Sequence, residues 1–165
     1  MNEALLCWEP IPAGSSGHDA GRRLLERMFF EHTGQPLPEI VRTPRGKPRF
    51  SDSPLCFSIS HTPRHVFCAL GETNLGIDAE EMDRTLNLAL AEKILSPEEY
   101  AQFRAVRDRR QALLRFWVLK EAQAKLTGAG LTGYPKHTSF SLDDPRVRII
   151  GGCFVAVLQE DPHAF

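Results

Sequence analysis

FWVLKEAQAKLTGAGL, Phe116 to Leu131, reads as the end of a long helix closed by a glycine-rich stop. If Leu113 to Thr127 is helical, spacing of three to four residues puts Trp117, Glu121 and Lys125 on one ridge, with Lys120 at its flank. Upstream, GIDAE (Gly76–Glu80) is a short acidic strand. Its two-residue period sends Asp78 and Glu80 to one face and Ala79 to the other. One helix and one strand then converge three carboxylates, Asp78, Glu80 and Glu121. Carboxylates so placed repel one another unless a cation sits between them. A hard divalent ion that keeps some waters and takes phosphate oxygens suits the set, which describes Mg²⁺. A plainer reading stands beside this one: KEAQAK is also a solvated helix face with a Glu121–Lys125 ion pair at i,i+4.

Working outward, the pattern predicts a strand over Ala4–Trp8 and an amphipathic helix over His18–His32, with Leu24, Leu25, Met28 and Phe29 inward and Gly34 as its stop. Glu39–Arg42 reads as a weak strand, followed by the turn-rich TPRGKPRFSDSP. Strands follow at Cys56–Ser60, Val66–Gly71 and Leu75–Glu80. A helix is expected over Asn87–Ile94. Ser96, Pro97 and Glu99 form a helix-start signature, and the long helix runs from about Asp108 to Gly128. Strands close the chain at Thr138–Ser141, Val147–Ile150 and Cys153–Gln159. Segregated runs of strands and helices are an α+β pattern.

A chain of 165 residues suits one domain, or two small pseudo-repeats sharing a core. Its 42% hydrophobic and 25% charged residues are those of an ordinary globular protein. A formal charge of −1 argues against a general nucleic-acid binder. No stretch reaches the length of a membrane span, and MNEALLCWEP lacks a charged-then-apolar leader, so the expected location is the cytoplasm. Cys7, Cys56, Cys68 and Cys153 show no disulfide framework. Cys56, His61, His65 and Cys68 match no common zinc spacing, and the thiols are expected to be core residues.

Five ordered segments carry a family resemblance: RGKPRF (Arg45–Phe50), FSISH (Phe57–His61), LGIDAE (Leu75–Glu80), LSPEEY (Leu95–Tyr100) and the run from Phe116. Together they resemble the 4′-phosphopantetheinyl transferases, more narrowly the larger monomeric type that activates peptide and polyketide synthetase carriers. The resemblance covers roughly Asp19 to Phe140. It implies a single α+β domain of that fold, with two pseudo-repeated halves, 1–74 and 75–165, and the active site between them. Compared with the family, the segments at both ends read as short, and a compact monomer is expected.

The resemblance also implies a reaction. The phosphopantetheine arm of coenzyme A passes to a serine of an apo acyl or peptidyl carrier protein, releasing adenosine 3′,5′-bisphosphate. Asp78, Glu80 and Glu121 would hold Mg²⁺, with Mn²⁺ as the alternative ion. Lys125 would reach the phosphates and stabilise the departing charge, with Lys120 assisting or simply lying on the surface. Glu99 matches the family's proposed general base; it also completes a capping box with Ser96. Lys47, Ser60 and His61 match nucleotide-phosphate contacts, and Arg22 and Arg23 lie where further phosphate contacts are expected. The arginines at 104, 107, 109, 110 and 115 read either as a docking face for an acidic carrier or as a solvated helix surface. Two other functions stay open: a non-catalytic module binding coenzyme A or a carrier, and a Mg²⁺-dependent phosphodiesterase.

Overall fold

The computed structural model describes residues 3–130 and 136–161, so Leu131, the last residue of the opening run, lies outside the described residues. Its architecture is α+β. The first strand, β1 (Leu5–Pro10), leads into α1 (Gly17–Thr33). Ser16 caps that helix by accepting from the Asp19 amide, and Gly34 ends it in the left-handed conformation at φ 69°. A small hairpin follows, β2 (Ile40–Arg42) and β3 (Pro48–Phe50). The long antiparallel pair β4 (Cys56–His61) and β5 (His65–Gly71) completes a sheet of order β1-β5-β4. Apolar residues of α1 at three-to-four spacing, Ala20, Leu24, Leu25, Met28 and Phe29, bury against its face with Phe50, Phe57 and Val66.

The second part starts with β6 (Leu75–Glu81), then α2 (Leu90–Ile94), α3 (Pro97–Ala105) and α4 (Arg109–Thr127). It ends with the hairpin β7 (Val147–Ile150) and β8 (Cys153–Gln159). These strands form a second antiparallel sheet of order β6-β8-β7. Phe116, Val118, Leu119, Ala122 and Leu126 of α4 pack on it with Phe154, Ala156 and Leu158. Between the two sheets lies a third apolar cluster, including Phe67, Ala69, Ile77, Ala79 and Val155.

The sheets meet where β4 runs beside β6, and side chains rather than main-chain pairs close the seam. Ser58 Oγ accepts from the Ile77 amide at 3.1 Å and Ser60 Oγ from the Ala79 amide at 3.1 Å. Thr62 Oγ1 then donates to Glu81 Oε1 at 2.6 Å. Three hydroxyls at every second position thus face one strand edge, which is what strand periodicity provides.

Two expectations are corrected. Thr138–Ser141 is not a strand. Its polar groups are taken by helix side chains: Thr138 O accepts from Lys120 Nζ at 2.8 Å, Ser139 Oγ donates to Ser96 Oγ at 2.6 Å, and the Phe140 amide donates to Glu99 Oε2. Conversely, Pro48–Phe50, within the turn-rich segment, is a strand. It pairs Phe50 with Ile40, and Pro48 takes the end position where its missing N–H does no harm. The helix expected over Asn87–Ile94 is regular only from Leu90.

Candidate active site

Gly76 explains why a helix can bring its acid to an acidic strand. A Cβ built there would collide with the carbonyl oxygen of Ala122 and lie 2.5 Å from the Leu126 nitrogen. The backbone of α4 therefore rests directly on β6, which places Glu121 and Lys125 beside Asp78. Lys125 Nζ donates to Asp78 Oδ1 at 3.0 Å, to Ile77 O at 2.9 Å and to Ile59 O at 3.4 Å, so its ammonium spans the seam. Ser60 donates to the same Asp78 oxygen at 3.2 Å.

The other oxygen, Asp78 Oδ2, is buried and has no hydrogen-bond partner among the described residues. A buried carboxylate oxygen left unpaired is costly, and a cation is the ligand that removes the cost. Burial, helped by the charge of Glu80, pushes the Asp78 carboxyl up to about 6 against the opposing pull of Lys125 and Ser60. Glu121 is pushed up to about 7 by burial and then by the charges of Asp78 and Glu80, with Lys125 and Arg84 acting the other way. The three acids thus repel one another through low-dielectric protein, as a cation site requires of its ligands. The donor set, carboxylates alone, suits a hard divalent ion of the Mg²⁺ class.

Glu80 is not yet turned towards its two neighbours. Its Oε1 accepts from Trp117 Nε1 at 3.1 Å and pairs with Arg84, whose guanidinium lies 5.8 Å from the centre of the Trp117 ring. Among the described residues, the one trio of potential ligands whose atoms all lie within 4.8 Å of one another is a different set, His65, Glu81 and Cys153.

Glu121 and Lys125 border a cleft of about 480 Å³. Its basic lining comprises His18, Arg22, Arg42, Arg45, Lys47, His61 and Lys125, with Glu121 at one side. Arg22 and His61, both named from the sequence, line this cleft. Arg23 is outside that lining and donates to Ser15 Oγ at 2.7 Å. Lys47 reaches inward: Nζ donates to Leu75 O and Leu126 O, both at 2.9 Å, and pairs with Asn74. It caps the carboxyl end of α4 while its stem lines the cleft. His18, Arg42 and Arg45 were missed; Arg45 stands inside the quoted RGKPRF segment, so basic turn residues there were the available signal. Trp117 and Arg84 were missed as partners of Glu80, although the helical ridge already placed Trp117 one turn before Glu121.

Glu99 and Lys120 lie elsewhere. They form an ion pair inside the fold, with side-chain exposures of 0% and 1%. Glu99 Oε1 also accepts from the Ser96 amide at 2.9 Å, and Ser96 Oγ accepts from the Glu99 amide, a complete capping box. The Cys56, His61, His65 and Cys68 set does not assemble: His61 lines the cleft, His65 bonds Glu81, and Cys68 is buried under α1.

The family model of the 4′-phosphopantetheinyl transferase superfamily matches residues 74–156, a span that contains Asp78, Glu80, Glu99, Glu121 and Lys125. The chain belongs to this superfamily. Among its relatives in the superfamily is the 4′-phosphopantetheinyl transferase HetI of Nostoc sp. (strain PCC 7120), 38% identical over 122 residues, which are 68% of this chain and 52% of HetI. AcpT of Salmonella typhi is 36% identical over 133 residues, 78% of this chain and 67% of that transferase. The transferase psf-1 of Bacillus pumilus is 33% identical over 124 residues, covering 69% and 53%. The chain thus spans between about half and two thirds of the length of these curated transferases. Among the described residues, no helix is long and apolar enough to cross a membrane.

Proposed function

We propose that this chain transfers the 4′-phosphopantetheine arm of coenzyme A to a serine of an apo acyl or peptidyl carrier protein, releasing adenosine 3′,5′-bisphosphate. The observation that carries the reading is the unpartnered Asp78 Oδ2, buried among mutually repelling acids at the edge of a basic cleft. Asp78, Glu80 and Glu121 would hold Mg²⁺, or Mn²⁺ in its place. Once bound, the ion supplies charge neutralisation for the pyrophosphate and for the leaving group.

The chain's own residues do the rest. Arg22, Arg42, Arg45 and His61 bind the nucleotide phosphates, the arginines through paired donors. Lys47 orders the cleft wall that it caps. Ser60 fixes the Asp78 rotamer and so aims Oδ2. Lys125 stands at the end of the site nearest the cleft and exchanges its bond to Asp78 for phosphate oxygens of the substrate. Phosphoryl transfer through a loose transition state demands more of such positioning than of a strong base. We read Glu99–Lys120 as the strut that holds α3 against α4 and thereby fixes Glu121. The base role suggested for Glu99 would require that pair to break first.

Two pseudo-repeated halves, 1–74 and 75–165, follow in the same reading. In support, β1-β5-β4 and β6-β8-β7 share one connectivity: a strand, a helical segment, then a hairpin whose last strand pairs with the first. The bond from Ser60 on β4 to Asp78 on β6 supports a site between the halves. A working monomer belongs to the same reading. Four free cysteines accord with a cytoplasmic location.

The test is intact mass spectrometry of apo-carrier proteins incubated with the protein, coenzyme A and Mg²⁺. A gain of the phosphopantetheine mass, absent with Asp78→Ala and Glu121→Ala, is the expected result. No gain on any of several fatty-acid, polyketide and peptide-synthetase carriers would defeat the proposal. Bisphosphate release without a carrier would point to hydrolysis instead.

A further inference from the structure

On the other side of the seam from the cleft, three element ends bring together side chains of a different chemistry. His65 opens β5 in the first sheet, Glu81 closes β6 in the second, and Cys153 opens β8. His65 Nδ1 lies 3.0 Å from Glu81 Oε1 and 3.7 Å from Cys153 Sγ. Strand alternation separates this cluster from the acids of the cleft, since Glu81 faces away from Asp78 and Glu80. We propose that His65, Glu81 and Cys153 bind one zinc-class divalent ion, which pins the two sheets together.

The ligand types select the ion. Thiolate and imidazole suit Zn²⁺ or Co²⁺ and are poor partners for Mg²⁺. The separations from His65 suit a tetrahedral ion, and all three ligand atoms lie within 4.8 Å of one another. With bonds of ~2.3 Å to sulfur and ~2.0–2.1 Å to nitrogen or oxygen, tetrahedral corners fall roughly 3.6 Å apart for S and N and roughly 3.3 Å for N and O. Both measured separations are within a few tenths of an ångström of these. A second contact holds Glu81 in place: Arg64 donates to Oε2 at 3.0 Å, leaving Oε1 towards His65. Cys153 and Glu81 are buried and His65 is half-buried, with Trp8 packed edge-on against the imidazole at 5.6 Å. Three protein ligands leave a fourth position for water on the His65 side. On binding, Cys153 gives its thiol proton to solvent and ligates as thiolate, while Thr62 turns its hydroxyl from Oε1.

The competing account is a metal-free hydrogen-bond cluster centred on Glu81. Titration of the full chain with Co²⁺, under a non-thiol reductant and with excess Mg²⁺ occupying the carboxylate site, separates the two. The expected result is a sulfur-to-cobalt charge-transfer band with tetrahedral d–d bands, saturating at one equivalent. The bands should persist in Asp78→Ala and vanish in Cys153→Ser and in His65→Ala. Zn²⁺ should displace the colour and raise Tm of the parent protein but not of these two variants. His65→Ala, at the more accessible ligand, keeps the test decisive if Cys153→Ser fails to fold. Absence of a charge-transfer band in the folded parent protein would overturn the proposal. So would a band that survives either ligand substitution, since it would then belong to another cysteine.

Discussion

Asp78 and Glu121 carry charge-dependent behaviour that a titration can read. Both have folded-state values, about 6 and about 7, above those of free carboxyls. An acid whose value is raised on folding holds its proton longer in the folded state, so stability falls as pH rises through that window. Without divalent ions, stability should therefore decline from about pH 4 to about pH 7.5, by on the order of 3 kcal/mol for the buried Asp78 at ~1.4 kcal/mol per pKa unit, with a smaller addition from Glu121, which water partly screens. Saturating Mg²⁺ should flatten the decline, as urea unfolding at several pH values would record. Glu81 acts in the opposite direction. Burial alone would raise it, but hydrogen bonds from Arg64, Thr62 and His65 hold it down at about 2, so its contribution is full above about pH 4.5 and is lost progressively as pH falls to about 2. The strut gives a second prediction. Lys120→Met leaves Glu99 buried without its cation and should cost about 3–5 kcal/mol, whereas the double variant Glu99→Gln/Lys120→Met should recover much of that. If Glu99 were instead the base, Glu99→Gln would lower kcat and remove the acidic limb of its pH profile, a loss that the stability recovered in the double variant would not restore.

At the scale of elements, Gly76 sets how close α4 sits to β6. Gly76→Ala must push the helix off the strand, at a cost of about 1–3 kcal/mol or more. It should also weaken Mg²⁺ binding, measurable by isothermal calorimetry, because Glu121 retreats with the helix. Here the sequence was most legible. Period 3.6 in the run from Phe116 and period 2 in GIDAE are local signals, and they mark the end of α4 at Gly128 and the strand that carries Asp78 and Glu80. What escaped was where polar groups find partners. TSFS at 138–141 alternates like a strand, yet its backbone is spoken for by Lys120, Glu99 and Gln102, all distant in sequence. RGKPRF reads as a turn because proline and glycine dominate it, while pairing with Ile40–Arg42 makes half of it a strand. Lys47 and Ser60 were picked out as ligands of phosphate, and the structure adds inward bonds that no spacing rule predicts. His65, Glu81 and Cys153 meet across 88 positions, with no motif to announce them.

For the molecule as a whole, the seam between the sheets governs stability. Ser58→Ala removes the hydroxyl that accepts from the Ile77 amide and should cost about 1–3 kcal/mol, the penalty of a buried donor left unsatisfied. Thermal unfolding of Ser58→Ala beside Ser58→Thr, which keeps the hydroxyl, isolates the bond from the volume change.

That seam also bears on how the chain first folds. As synthesis proceeds from the amino terminus, β1, α1, β4 and β5 can assemble before α4 and β8 have been made. Until β6 docks, β4 is a bare strand edge, apolar on the α1 side and lined with hydroxyls on the other. An unprotected edge invites pairing with another chain. Serine and threonine at 58, 60 and 62 bond a neighbouring strand through side chains, without extending a regular ladder. The nascent half thus offers a poor template for a second copy of itself and a fitted one for β6, so conditions that slow completion of the chain should provoke little self-association.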